Sequence, residues 1–170
     1  MVKTETVNAL LVYVLAALIP TIIGLIYYHP KVMGGIWMNA SGMTEEKIQS
    51  GNMPLIFGLS FVLAFLLSWS MTYVVVHQSH FDSLFMDFPE AKAAVTELLD
   101  GKFEGWKNNY RTFGHGALHG GMMSIVFGLP ILATNAMFER KGFKYIWVNG
   151  LYWFITITLM GGFICQFLPK

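Results

Sequence analysis

The sequence has few charged residues and keeps them out of its long apolar segments. Charged residues make up 12% of the 170 residues, and 55% are hydrophobic. Soluble domains carry roughly 25% charged residues, so this composition argues against an ordinary soluble domain. Basic and acidic residues nearly balance, at 11 and 10, which gives no sign of a nucleic-acid partner. The composition is typical of a membrane protein.

Several other features are missing. Cys165 is the only cysteine, which excludes an intramolecular disulfide and leaves the redox compartment open. No phosphate-binding loop, nucleophile–base motif or metalloprotease signature occurs. No small-residue cleavage site follows the first apolar segment, so we interpret that segment as a retained helix. These absences favour a protein that is not an enzyme.

Four apolar segments are long enough to cross about 30 Å of hydrocarbon, which needs roughly 20 helical residues. None contains an acidic or basic side chain, and aromatic residues lie near their ends. The segments are residues 7–28, 53–76, 112–138 and 145–167. We therefore predict an all-α fold, with residues 1–170 forming a single integral-membrane four-helix bundle. Lysine and arginine are divided almost evenly between the two sides, so the orientation stays open.

The long connection between the second and third segments has a helical pattern of its own. Asp87 is placed to cap a helix there and Gly101 to end it. Apolar residues at helical spacing form one face, namely Ala91, Ala94, Val95, Leu98 and Leu99. We expect an amphipathic surface helix that lies on the membrane or docks on a partner.

Small residues recur every four positions in the second and third segments. They are Ser60, Ala64 and Ser68 in the second, and Gly116, Gly120, Ser124 and Gly128 in the third. Small side chains let membrane helices approach closely. Because the two segments are consecutive and antiparallel, the stripes predict that these helices meet along them. Alternatively, one stripe faces a second copy or a foreign subunit.

Histidines gather on one side of the predicted bundle. His77 and His80 follow the second segment, His115 and His119 open the third, and His29 lies on the opposite side. Spacings of three and four place each pair on one helical face. Imidazole is the commonest metal ligand, and such nitrogens suit Zn, Cu or Fe. The alternative, which the residues alone favour, is polar packing at a water boundary with no bound cofactor.

Two motifs resemble a known family. Residues 28–46 follow the spacing Y-x-P-x-x-x-G-x-x-W-M, and residues 137–153 contain an F-E-R turn followed by N-G-x-Y-W. With the glycine-rich third segment, they resemble a bacterial family of small four-span membrane proteins, domain of unknown function 1761. The resemblance covers most of the chain outside residues 78–111. It implies a multi-pass protein of the bacterial inner membrane and carries no activity or site residues.

Together these observations predict a small membrane protein embedded in the lipid bilayer. The simplest function is that of a non-enzymatic accessory subunit, or of a homo-oligomer, that packs through the small-residue stripes. The alternative function is a metal- or haem-binding membrane protein, redox or sensory, whose site is lined by His77, His80, His115 and His119.

Overall fold

A computed structural model describes residues 2–169, which form helices and turns without a β-strand. The α-helices are α1 (Val2–Tyr27), α2 (Gly35–Ser41), α3 (Glu45–Gln49), α4 (Met53–Val75), α5 (Gln78–Leu84), α6 (Pro89–Lys102), α7 (Phe113–Met123), α8 (Leu129–Phe138) and α9 (Phe143–Phe167). One π-helical turn leads into α2 and a second joins α7 to α8. The all-α prediction is confirmed.

Within residues 2–169, four helical segments are long and apolar enough to cross a membrane. The first span is Asn8–Tyr27 within α1, the second and fourth are α4 and α9, and the third is the continuous segment Phe113–Phe138. These bounds lie within a few residues of the predicted ones, except that α1 begins earlier, at Val2. The third span changes to π geometry over Ser124–Gly128. Pro130 follows directly, and a proline has no N–H for the helical hydrogen-bond ladder, which accounts for the local change in geometry.

The fourth span is the centre of the bundle. Half of the residues in its most apolar 18-residue window are buried, against 17–22% in the other three spans. Met160 and Ile164 are fully buried in a core that also contains Ala16 of α1 and Val75 of α4. The first and second spans are therefore held together partly through α9.

The small-residue stripe of the third span packs against α9, which differs from the predicted pairing with the second span. A Cβ atom added to Gly116 would overlap the carbonyl group of Gly161, and one added to Gly120 would overlap the backbone of the same helix. Further along the stripe, Ser124 is buried and Gly128 is partly buried. Gly161 presents a small surface to α7 in return, so the two backbones are in direct contact.

The second span uses its own small residues against α1. Ser68 and Ala64 are buried, whereas Ser60 is exposed. The Ser68 hydroxyl donates to the Tyr13 carbonyl of α1 at 3.1 Å. The small residues therefore serve two close contacts, α4 with α1 and α7 with α9, and the predicted contact between α4 and α7 is present but less extensive.

The connection between the second and third spans contains α5, α6 and a short 3-10 turn. α6 begins after Phe88, without any side-chain capping bond, so the predicted Asp87 cap is wrong. The helix runs through Gly101 to Lys102, so the predicted stop at Gly101 is also wrong. No residue of α6 is buried, and its docking on a membrane or a partner stays a prediction.

Hydrogen bonds fold the end of this connection back on itself. The Trp106 indole and the Lys107 ammonium donate to the Asp100 carboxylate at 2.8 and 3.1 Å, which lowers the pKa of Asp100. The Gln78 side chain of α5 donates to the carbonyls of Trp106 and Asn109 at 3.2 and 2.9 Å. These bonds hold the end of the connection against α5, next to the start of α7.

Candidate metal centre at the histidine end

Three imidazoles from two spans converge at one end of the bundle. His77 follows the end of α4, while His115 and His119 lie in the first two turns of α7. One ligand nitrogen of each lies within 4.8 Å of the other two. A hydrogen bond joins the Nε2 atoms of His77 and His115 at 2.8 Å, so one of these two nitrogens carries a proton. The His119 ring centroid lies 4.9 Å from that of His77 and 4.5 Å from that of His115. We name this set the histidine triad.

Local backbone features bring these rings together. Thr112 caps α7, and its hydroxyl accepts the backbone N–H of His115 at 3.3 Å. The four-residue spacing then places His119 on the same face, one turn deeper. α4 ends because Val76 adopts an extended conformation, with φ −113° and ψ 95°. The change of direction after α4 leaves His77 beside α7.

The two remaining histidines lie apart from the triad. His80 Nε2 is 2.8 Å from the Tyr73 carbonyl oxygen, and a carbonyl only accepts, so this nitrogen carries the proton. His29 Nδ1 accepts the backbone N–H of Lys31 at 3.2 Å and caps the first π-helical turn. The structure thus brings together three of the four candidate ligands and gives His80 a capping bond instead.

The last turns of α9 tie the triad segments in place. Cys165 Sγ lies 3.3 Å from the Val75 carbonyl oxygen and 3.4 Å from that of Tyr110. Arg111 donates from Nε to the Cys165 carbonyl at 3.0 Å and from Nη2 to the Leu168 carbonyl. Val75 lies two residues before His77, and Tyr110 and Arg111 lie just before α7. The end of α9 therefore fixes both triad-bearing segments.

Arg111 directly precedes the third span and is only 6% exposed. Its position at the end of α9 places a cation where helix carbonyls carry partial negative charge. Burial lowers the pKa of Arg111, but its usual value is so high that the guanidinium stays charged. No local signal separates such an arginine from an ordinary interfacial one, because its partners lie more than fifty residues away.

The surroundings of His77 favour its neutral form. Partial burial among the neighbouring rings, and then the nearby His119 and His80, lower the pKa of His77 below its usual value. At neutral pH its imidazole is therefore uncharged, and neutral imidazole is the form that binds metal ions.

Aromatic side chains fill the opposite end of the bundle. We name this region the aromatic end; its members are Tyr27, Tyr28, Trp37, Asn149 and Tyr152. The Tyr28 hydroxyl donates to Asn149 Oδ1 at 2.9 Å. The Tyr28 ring centroid lies 5.4 Å from that of Trp37 and 5.0 Å from that of Tyr152. All of these residues except Tyr27 come from the two sequence motifs, which the fold brings into contact although Tyr28 and Asn149 are 121 residues apart.

A family model described as Protein of unknown function (DUF1761) matches residues 11–165. The chain belongs to this family. The matched range includes the connection at residues 78–111, where the two sequence motifs gave no resemblance. No curated protein and no solved structure matches the chain. The candidate function of this DUF1761 protein therefore rests on its geometry.

One unusual backbone conformation borders the triad of the DUF1761 protein. Tyr110 has a φ of 61°, which is uncommon for a residue other than glycine. Its ring stacks on the His115 ring at 5.1 Å between centroids, with an angle of 27° between the planes. Such conformations persist where the surrounding structure enforces them, often beside functional sites. The hydrogen bond from Cys165 to the Tyr110 carbonyl is one such restraint.

The triad has the dimensions of a metal site before the ligands close on the ion. Imidazole nitrogens bound to zinc at about 2.05 Å in a tetrahedral arrangement lie about 3.3 Å apart. In the DUF1761 protein one nitrogen pair is at 2.8 Å, and all three nitrogens fit within 4.8 Å. The separation of about 3.3 Å expected in a tetrahedral zinc site lies between these two values.

Proposed function

We propose that this DUF1761 protein is a membrane protein that binds a divalent transition-metal ion through His77, His115 and His119. The convergence of three imidazole nitrogens within 4.8 Å carries the proposal. Imidazole nitrogens suit zinc, copper and iron. No hydrogen bond joins the His119 ring to another of the described residues, which supports an ion rather than polar packing as the reason for a histidine at that position. The role that fits is metal sensing or metal-dependent redox chemistry at one face of the membrane.

The outward faces of the spans support insertion into a bilayer. Leu25, Leu63 and Val126 are 63%, 65% and 71% exposed. Exposed apolar surface of this extent is unfavourable in water and is the normal surface of a helix in hydrocarbon. We place the protein in the bacterial inner membrane, the location that the family resemblance implies.

The geometry supports a metal ion better than haem. Two histidines that bind one haem iron lie on opposite faces of the porphyrin, with the flat macrocycle between them. The Nε2 atoms of His77 and His115 are 2.8 Å apart, which is too close for an iron atom and a porphyrin plane between them.

A second proposal is the accessory-subunit or homo-oligomer role, and it has a narrower basis. The stripe at Gly116 and Gly120 packs on α9 within the same chain, so it needs no second chain. What supports the role is α6, which has no buried residue and leaves Leu98 50% exposed. The mass of the purified protein in mild detergent tests this role. A complex that Leu98→Glu dissociates would support it, and a monomer in both forms would contradict it.

Zinc binding to the purified protein tests the first proposal. We expect one Zn²⁺ per chain by elemental analysis and by calorimetry in detergent. His77→Ala, His115→Ala and His119→Ala should each weaken binding at least tenfold, or about 1.4 kcal/mol, because each removes one of three ligands.

The other histidines supply matched controls. His80→Ala removes an imidazole next to the triad, and His29→Ala removes one at the opposite end, and neither should change zinc affinity by more than twofold. Failure of the unaltered protein to bind zinc, copper or iron would disprove the proposal. So would equal losses in the triad variants and in the two controls.

A further inference from the structure

The triad supplies three ligands, and among the described residues no carboxylate, thiol or fourth imidazole joins it in the group of ligand atoms within 4.8 Å. His80 is committed to the Tyr73 carbonyl through Nε2. Cys165 is fully buried and directs its sulfur toward the carbonyls of Val75 and Tyr110.

The triad is open on one side. The His77 side chain is exposed, and His115 and His119 are partly buried. All three lie at the end of the bundle, beyond α4 or in the first two turns of α7, next to the polar connection between the second and third spans. Structural metal sites have four protein ligands, whereas sites with three protein ligands complete their coordination with water or an exogenous molecule.

We infer that a metal ion held by the triad keeps one coordination position open to the aqueous side, where it binds water or a small anion. The inference rests on the proposed metal binding and adds what the ion does there. An ion that holds a water molecule makes that water more acidic and exchanges it for anions. The Tyr110 ring stacks on the His115 ring beside the triad, at 5.1 Å between centroids.

Cobalt(II) and azide test this inference in the full-length protein in detergent. The protein is loaded with Co²⁺, its cobalt content is measured, and sodium azide is added while the visible absorption bands of the ion are recorded. We expect one Co²⁺ per chain and a saturable shift of these bands with azide. The same shift should occur in His80→Ala and His29→Ala, and His115→Ala should lose it.

The possible outcomes distinguish a failure of the open coordination position from a failure of metal binding itself. One bound Co²⁺ whose bands do not respond to azide overturns the open position and leaves metal binding intact. An azide response that appears only in His80→Ala would show that this imidazole fills the position, and it would overturn the inference as well. Absence of bound cobalt, with zinc also unbound, overturns both.

Met123 provides one more discriminating variant. It lies four residues beyond His119 on α7, and a thioether is a ligand for copper. An azide response that appears only in Met123→Leu would show that the sulfur fills the position, which would overturn the inference. An equal response in both proteins supports it.

Discussion

The two ends of the bundle are both organised by α9, and they differ in how their polar atoms are used. At the aromatic end, tyrosine hydroxyls bond within the chain, as Tyr27 does with the Val148 carbonyl and Tyr152 with the Pro20 carbonyl, both at 2.9 Å. At the histidine end, the ring nitrogens of the triad contact one another and the His77 side chain is exposed. A closed network stabilises a fold, whereas an open cluster of ligand atoms is available to an ion.

The motifs that carry the family resemblance lie at the aromatic end, away from the candidate metal site. Its motifs contribute Tyr28, Trp37 and Asn149 to the closed aromatic end. The histidine triad lies about 24 Å away along α9, from the sixteen residues between Asn149 and Cys165 at about 1.5 Å each. Residues that identify the family and residues that support the proposed function therefore occupy different parts of the molecule. Predictions that perturb one end and read out the other test that separation.

The largest loss of stability is expected at the contact between α7 and α9, on which both ends of the bundle depend. Gly120→Leu places a side chain where a Cβ already overlaps the backbone of α9. Because backbone cannot yield as a side chain does, we expect a loss of about 3 kcal/mol or more, or failure to fold. Unfolding in detergent measures this. Gly58→Leu in α4, where a Cβ meets nothing within 4 Å, is the matched control and should unfold like the unaltered protein.

Removing the arginine at the histidine end should cost slightly less and should act on metal binding too. Arg111→Met leaves the carbonyls of Cys165 and Leu168 without their charged donor, and we expect a loss of about 3 kcal/mol of unfolding free energy. Zinc affinity should fall, because the segments that carry the triad are no longer fixed to α9. Arg111→Lys should recover part of both losses. Unchanged zinc affinity in a destabilised Arg111→Met would show that the anchor does not position the triad.

Sequence patterns predict the positions of the four spans but not which spans pack against each other. Apolar length and the absence of charge are properties of one segment, so the four helices could be found without tertiary information. The stripe at Gly116 and Gly120 was recognised, but its partner was not, because Gly161 and Gly162 form no four-residue repeat. Asp87 and Gly101 matched capping patterns, yet α6 begins at Pro89 and passes through Gly101, which shows how weak such signals are in an exposed helix.

The candidate site was predicted in part for a similar reason. Topology alone places four histidines at one end, but the change of backbone direction at Val76 decides which of them face α7. Because of that change, His77 lies in the triad, whereas the His80 ring forms a hydrogen bond with the Tyr73 carbonyl. The hydrogen bonds from Arg111 to the Cys165 carbonyl and from Cys165 to the Val75 carbonyl join residues that are distant in sequence. No local sequence pattern therefore indicates the role of Arg111 or Cys165.

At the aromatic end, a single hydroxyl tests whether the two ends are independent. Tyr28→Phe keeps the stacked ring and removes the donor to Asn149 Oδ1, so we expect a loss of about 1 kcal/mol. Zinc affinity should not change, because sites this far apart with no shared partner are additive. Tyr73→Phe, at an exposed tyrosine, is the control for removing a hydroxyl. A change in zinc affinity of more than twofold would link the two ends.

The smallest effect is expected between the ends, where α4 contacts α1. Ser68→Ala removes the hydroxyl that donates to the Tyr13 carbonyl at 3.1 Å and to the Phe65 carbonyl at 2.8 Å. Hydrogen bonds between membrane helices contribute about 0.6 kcal/mol on average, and alanine keeps the helices close, so we expect a loss of that size and unchanged zinc affinity. Ser60→Ala, one member of the same stripe that is exposed, should have no measurable effect on unfolding. Equal losses in the two variants would mean that the stripe as a whole, including its exposed part, contacts another surface such as a second copy of the chain.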